Sequence, residues 1–160
     1  MTKNLDKEGL SSIVDNYQLF YVDLWGVVHN GVHLHDEAIK ALKGITNKGK
    51  DYVLLTNAPR PNNAVKSFLE KLGMEKEIRD HVFTSGEAAL TYLKKNLLNK
   101  SFFHIGSLRD FDLFKDFEEM KSDQFEKSDY ILCTGLFDNH HEDLKYYKGL
   151  FEKNIKKKMI

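Results

Sequence analysis

Hydrophobic residues in the first 100 positions form short continuous runs that alternate with runs at helical spacing. The continuous runs at residues 19–22, 52–55 and 81–85 predict three strands, and the first two are of the kind that a parallel sheet buries on both faces. Apolar residues three and four apart predict a helix after each strand. Strands that alternate with helices are typical of right-handed βαβ units, so we expect an α/β fold with a parallel sheet.

Capping residues set the expected limits of these helices. Asp36 is expected to cap the amino end of the first helix, and Gly49 follows its carboxyl end. The second helix should stop at Gly73. Ser85 is expected to cap a third helix over residues 87–97.

Residues 98–160 predict a second, smaller α/β unit. The segments SFFHIGS at 101–107 and DYILCTG at 129–135 predict two strands, and residues 140–154 predict a helix. We therefore divide the chain into residues 1–97 and residues 98–160. The sequence stops on apolar Met159 and Ile160, which favours the interpretation that it is an amino-terminal fragment.

Composition narrows the classes of function. Lys and Arg together number 24, as do Asp and Glu, so no overall charge favours nucleic acid as a partner. No apolar segment reaches membrane-spanning length, and the polar first 16 residues lack the apolar core of a signal peptide. The single cysteine, Cys133, cannot form an internal disulfide and is expected to be a buried strand residue. These features predict a cytoplasmic protein that binds neither nucleic acid nor membrane.

Polar side chains stand where the predicted strands end. Asp23 ends the first strand, in FYVDLWGVVHNG, while Thr56 and Ser85 end the second and third. A carboxylate at the end of a buried strand is costly unless something pairs with it. Because ligands of parallel sheets gather at the carboxyl ends of the strands, the sequence predicts a functional site at this edge.

Three segments carry a family resemblance. YVDLWGVVHNG, VLLTNAPRP and VFTSGEAALTYL, in this order and spacing, resemble the haloacid dehalogenase superfamily. The similarity points to subfamily IIA, the NagD-like and p-nitrophenylphosphatase-like hydrolases, in a branch with Trp25 in place of a second aspartate. The resemblance implies a three-layer α/β/α Rossmann-like core with the Asp23 strand central. Residues 1–97 would be the first half of this core and residues 98–160 the start of an inserted α/β cap.

The resemblance also implies roles for individual residues. Asp23 would be the nucleophile that forms an aspartyl-phosphate from a phosphate monoester, with Mg²⁺ bound by its carboxylate and by the main-chain oxygen of Trp25. Thr56 and Asn57 would hold a phosphate oxygen, and Gly26 would let the chain turn beside the ligand. The implied partner is a small phosphorylated metabolite, such as a sugar phosphate or nucleotide. The resemblance allows a homodimer formed through the cap.

Trp25 departs from the superfamily pattern. Most phosphatases of the superfamily carry an aspartate there, which is the general acid for the leaving group and the base for water. An indole N–H can do neither, and general acid–base assistance typically supplies roughly 10²–10⁴-fold in rate. We expect His29 or a good leaving group to compensate in part, with slow turnover.

Two other features weaken the enzyme interpretation for these 160 residues. The lysine and the late acidic pair of the superfamily have no counterpart in the sequence, so we expect the chain to be weakly active or inactive. The alternative is a non-catalytic module that binds phosphate or a metabolite. A zinc pair formed by His33 and His35 is a third hypothesis, but no further ligand follows at a conventional spacing.

Overall fold

The computed structural model describes residues 5–152 and 156–160, which form two compact units. The first unit contains the chain up to Ala58 together with Asn62–Thr84, and the second contains Pro59–Pro61 and Ser85–Ile160. The helix that follows Thr84 therefore belongs to the second unit, whereas the sequence division assigns it to the first. The assignment of residues 98–160 to a cap stays a prediction.

The first unit is a parallel three-stranded sheet with helices between its strands. Its first described elements are the short helix α1 (Leu5–Glu8) and two 3₁₀ turns, at Leu10–Ser12 and Val14–Asn16. The strands and the remaining helices are, in chain order, β1 (Leu19–Asp23), α2 (Asp36–Asn47), β2 (Asp51–Thr56), α3 (Asn62–Lys71), α4 (Lys76–Arg79) and β3 (Val82–Thr84). All pairs are parallel in the order β1-β2-β3, which confirms the predicted α/β class.

Helices α2 and α3 cover one face of this sheet. Leu42 and Ile45 of α2 and Leu69 of α3 pack with Leu54 of β2 in one buried cluster. The opposite face keeps large side chains exposed, because strand residues alternate between the two faces. These side chains are Leu19, Tyr21, Leu55 and Phe83.

Two expectations for the first unit are wrong. Strand β1 lies at an edge, and β2 is central, because the described residues supply no strand for the other side of β1. Asp36 is the first residue of α2 instead of its cap, and His35 precedes it without a side-chain capping bond. The Asp36 carboxylate still lies in the first turn, where the helix dipole favours a negative charge.

The second unit has its own parallel sheet in the order β4-β5-β6. Its elements are α5 (Ser85–Asn96), β4 (Phe102–Ile105), β5 (Tyr130–Cys133), α6 (Leu144–Glu152) and β6 (Lys158–Met159), with 3₁₀ turns between β4 and β5. The strands β4 and β5 confirm the prediction, while the two-residue β6 was not predicted. Helix α5 begins at Ser85, two residues before the expected start.

The carboxyl-terminal helix and the cysteine also differ from expectation. Helix α6 begins at Leu144, after a separate 3₁₀ turn at Asp138–His140, and its predicted end near residue 154 lies outside the described residues. Cys133 is in β5 as predicted, but it is exposed, because it is the last residue of the strand. Within the described ranges, every helix is too short or too polar to cross a membrane.

Candidate active site

Asp23 is the last residue of β1, and its side chain is exposed. One carboxylate oxygen, Oδ1, accepts the N–H of Leu24 at 2.8 Å. No other side chain or N–H of the described residues donates to this carboxylate. The strand register places Asp23 opposite Leu55, the residue before Thr56. Asp23 and Thr56 therefore lie at the carboxyl edge of neighbouring parallel strands, as the sequence predicts.

The chain turns tightly after Asp23. The Leu24 carbonyl accepts the N–H groups of Val28 at 2.9 Å and His29 at 3.1 Å, and the Gly26 N–H donates to the His29 carbonyl at 2.8 Å. Gly26 has a φ of 75°, a left-handed conformation that glycine adopts without strain. The carbonyl of Trp25 accepts no hydrogen bond from the part of the chain that the structure describes. The turn thus leaves the main-chain oxygen two residues after Asp23 without a hydrogen-bond donor in the described ranges.

Thr56 and Asn57 offer hydrogen-bond donors at the same edge. Thr56 is 9% exposed, and its Oγ1 accepts the N–H of Ala58 at 3.2 Å. A hydroxyl that accepts here still has its proton to donate. Neither this proton nor the Asn57 N–H has an acceptor among the described residues, so both remain available as hydrogen-bond donors. The placement of Gly26 beside a bound phosphate stays a prediction.

Trp25 and His29 form an aromatic pair that the sequence analysis did not foresee. The Trp25 indole is 65% exposed, whereas the His29 imidazole is 5% exposed. The two ring centroids are 5.6 Å apart, with the rings at 88°. Phe68 of α3 makes a similar edge contact with His29, with ring centroids 5.5 Å apart. His29 is thus a buried support for an exposed indole.

The environment of His29 keeps this histidine neutral. Its Nδ1 accepts the N–H of Gly31 at 3.0 Å, so the ring proton is on Nε2. Burial lowers the pKa of His29, electrostatic repulsion from the nearby His35 lowers it further, and the Asp23 carboxylate opposes both effects. A neutral imidazole whose second nitrogen is occupied is a poor acid near neutral pH. The structure therefore argues against His29 as the replacement for the missing general acid.

The third motif, Thr-Ser-Gly, contains a close backbone contact. Thr84 is fully buried, and its N–H donates to Oδ1 of Asn62 at 2.9 Å. Within the second unit, a Cβ added at Gly86 would lie 2.4 Å from the backbone N and O of Arg60. Only glycine allows the two backbones to approach this closely, which is a physical reason for a glycine at position 86.

The oxygen atoms available as ligands at the carboxyl end of β1 are of the kind that Mg²⁺ prefers. The Asp23 carboxylate and the Trp25 carbonyl are both hard oxygen ligands, and both have free lone pairs. They supply two ligands where magnesium takes about six, so the residues fit a two-point attachment completed by water and substrate.

A metal site built from protein ligands alone does not occur in the described ranges, which contain no cluster of three or more His, Cys, Asp or Glu residues. The His33 and His35 rings are 5.6 Å apart and have no third ligand in such a cluster, so the zinc hypothesis gains no support.

Comparison with known proteins connects this geometry to a family. A family model for haloacid dehalogenase-like hydrolases matches residues 20–119. Phosphoglycolate phosphatase 2 of Arabidopsis thaliana is 36% identical over 98 residues, a match that covers 58% of this chain and 31% of that protein. The chain thus spans about a third of the length of this curated relative.

Solved structures show the same similarity over more of the chain. A haloacid dehalogenase-like hydrolase from Brucella suis superposes with a TM-score of 0.72 at 31% identity, over 90% of this chain and 52% of that one. A glycerol phosphate phosphatase from Mycobacterium tuberculosis, solved in complex with magnesium, superposes with a TM-score of 0.58 at 21% identity, over 89% of this chain and 43% of that one. The chain therefore spans about half the length of these solved structures.

Proposed function

Since the chain belongs to the haloacid dehalogenase-like hydrolases, we propose that it acts on phosphate monoesters through Asp23. The observation that carries the proposal is the position of Asp23. Its exposed carboxylate ends β1 at the same sheet edge as the free donors of Thr56 and Asn57. A nucleophile next to anion-binding donors is the arrangement that phosphoryl transfer requires.

In the proposed reaction, an Asp23 carboxylate oxygen attacks phosphorus, and the bond from phosphorus to the leaving oxygen breaks. The leaving group takes the electron pair of that bond, and an aspartyl-phosphate remains. Water then attacks the phosphorus, orthophosphate leaves, and the carboxylate is restored. The Thr56 hydroxyl and the Asn57 N–H hold a phosphate oxygen during both steps.

Magnesium is the proposed cofactor. The Asp23 carboxylate and the Trp25 carbonyl would hold it, and the bound ion would neutralise charge on the phosphate as the two anions meet. The glycerol phosphate phosphatase to which the chain is similar was solved in complex with magnesium. The phosphate-binding donors of Thr56 and Asn57 do not depend on the ion.

The surroundings of Asp23 restrict the leaving group. Trp25 has no acidic proton, and His29 is a neutral donor whose pKa is lowered by burial. The leaving oxygen must therefore depart without a proton from either residue. We propose a small phosphorylated metabolite of the cytoplasm with an acidic leaving hydroxyl as the substrate.

A second function is supported by the same residues. A module that binds a phosphorylated metabolite without turnover needs the Thr56 and Asn57 donors but no acid, and Trp25 supplies none. Phosphate binding alone therefore does not distinguish an enzyme from a binding module. Turnover that depends on Asp23 does.

The decisive experiment measures hydrolysis of 4-nitrophenyl phosphate by the intact chain in excess over substrate, with MgCl₂ present. We expect slow release of nitrophenol that Asp23→Asn abolishes. Asp51→Asn is the matched control, because Asp51 is also exposed but opens β2 at the other end of the sheet. Orthophosphate binding without any Asp23-dependent turnover would establish the binding module instead.

A further inference from the structure

We propose that the exposed indole of Trp25 binds the leaving group of the substrate, and that this leaving group is a planar aromatic ring. The inference rests on the proposed function and specifies its substrate class. It assigns Trp25 the role of selecting the leaving group, in addition to the backbone contact expected of its carbonyl.

The first argument is the position of the indole. Trp25 follows the nucleophile by two residues, and Leu24 connects Asp23 to the residue on which the indole packs: its N–H donates to the Asp23 carboxylate, and its carbonyl accepts the His29 N–H at 3.1 Å. The indole centroid lies 5.6 Å from the centroid of the His29 imidazole. A ring attached to a phosphate at Asp23 would therefore lie within reach of the indole.

The second argument is that the indole is held in place before any ligand binds. Its six-membered ring rests on Gly31, where an added Cβ would lie 2.7 Å from Cη2. The imidazole that the indole contacts accepts the Gly31 N–H and packs edge-on against the ring of Phe68, which hold it in place. A pre-organised ring loses little conformational entropy on binding, so more of the stacking energy appears as affinity.

The third argument is exposure. The indole is 65% exposed in spite of the Gly31 and His29 contacts, so much of its surface is available to a ligand. Aromatic rings stack on such surfaces with offset or edge geometry, and stacking of a base on an aromatic side chain is worth about 1–3 kcal/mol by alanine substitution.

The chemistry of the leaving group selects the same class independently. A phenol-like oxygen leaves as a stable anion, whereas an alkoxide from a sugar or glycerol needs a proton that the Trp25 indole does not donate. Sugar rings can also lie on an indole, but their hydroxyls are poor leaving groups here. Stacking and leaving-group acidity together favour phosphate esters of aromatic hydroxyls.

The test uses ligands that cannot be hydrolysed. The intact chain is titrated calorimetrically, with MgCl₂ present, with phenylphosphonate, with cyclohexylphosphonate and with orthophosphate. We expect phenylphosphonate to bind about tenfold more tightly than cyclohexylphosphonate, which is similar in size but not planar. Trp25 is the only tryptophan, so its fluorescence should also respond to phenylphosphonate more than to the other two ligands.

Variants separate stacking from phosphate binding. Trp25→Leu should reduce the ratio of phenylphosphonate affinity to cyclohexylphosphonate affinity from about tenfold to about onefold, while Trp25→Phe should keep most of this preference. Tyr21→Leu is the matched control, because Tyr21 is 70% exposed and precedes Asp23 by two residues. Tyr21→Leu should leave the affinities for phenylphosphonate and for cyclohexylphosphonate unchanged.

The outcomes distinguish this inference from the proposed function. Equal affinity for the two phosphonates in the wild-type chain, or a preference that survives Trp25→Leu, would overturn the role of Trp25 while phosphate binding stands. If none of the three ligands binds, the phosphate site itself is wrong and both proposals fall.

Discussion

The indole of Trp25 lies directly against the backbone of Gly31. A Cβ at residue 31 would be 2.7 Å from Cη2 and 2.8 Å from Cζ3, and Gly31 has a φ of 91°. The same glycine donates its N–H to Nδ1 of His29. The loop after β1 is therefore built around the tryptophan, and Gly31 is constrained by both its conformation and its contact.

Gly31→Ala should destabilise the protein by roughly 1–3 kcal/mol, because the new methyl group meets the indole and a side chain strains the left-handed backbone. The midpoint and slope of urea unfolding measure this change. Gly44→Ala is the control, since Gly44 lies in α2 with no atom within 4 Å of the new Cβ. That variant should gain about 0.5–1 kcal/mol. Equal stability of Gly31→Ala and the wild type would contradict the contact.

Thr56→Val should weaken orthophosphate binding about tenfold or more. The change removes the only side-chain hydroxyl proposed to donate to the anion, and a hydrogen bond to a charged group contributes about 1.5–3 kcal/mol. Isothermal titration measures the affinity, and Thr56→Ser should retain most of it. A valine variant with undiminished affinity would remove Thr56 from the phosphate site.

Magnesium binding to the chain should be weak and dependent on Asp23. One carboxylate and one carbonyl leave most of the octahedral shell to water. Titration with MgCl₂ should show binding that Asp23→Asn loses and that the control Asp51→Asn keeps. The same affinity in the wild type and in Asp23→Asn would place the ion elsewhere.

The sequence predicts well which residues lie at the carboxyl ends of the strands, because local patterns determine where each strand ends. Continuous apolar runs define where β1 and β2 end, and parallel pairing brings those ends together, so Asp23 and Thr56 could be placed without coordinates. The loop after β1 has no such period. The contact of Trp25 with Gly31 depends on how an irregular segment folds, and no spacing rule predicts it.

Burial and strand order were harder to predict for similar reasons. Cys133 lies in an apolar run, but an apolar neighbourhood in sequence does not establish that the last strand residue is covered. The edge position of β1 depends on which strands are available to pair with it. Both properties are set by tertiary partners instead of local composition.

His104 should make the protein less stable in acid. The imidazole is 6% exposed, and its Nε2 lies 2.9 Å from the Thr134 hydroxyl. Its pKa is lowered to about 4, mainly by burial and also by the charge of Lys121, while the Asp110 carboxylate acts in the opposite direction. Below pH 6.5 the His104 imidazole is protonated in the unfolded chain but stays neutral in the folded protein until the pH approaches 4. Its contribution is therefore complete above pH 6.5 and is lost as the pH falls towards 4, by up to about 3 kcal/mol.

Urea unfolding between pH 7 and pH 4 measures this loss. His104→Gln should flatten the acid slope, whereas Thr134→Val keeps the imidazole and should keep the slope. His29, whose pKa is also lowered, contributes to the slope in all of these proteins. An unchanged slope in His104→Gln would show that His104 is not the titrating group.

Trp25→Asp should shift the protein from aryl towards alkyl phosphates. The new carboxylic acid can protonate a poor leaving group, so ethyl phosphate hydrolysis should gain more than phenyl phosphate hydrolysis, within the roughly 10²–10⁴-fold range of general acid catalysis. Loss of the indole should at the same time weaken binding of the phenyl group. Trp25→Asn is the matched control, because it removes the indole and has nearly the shape of aspartate but no acidic proton. Rates measured with enzyme in excess should show the gain only in Trp25→Asp, and an equal change in both variants would mean that the missing acid does not limit this site.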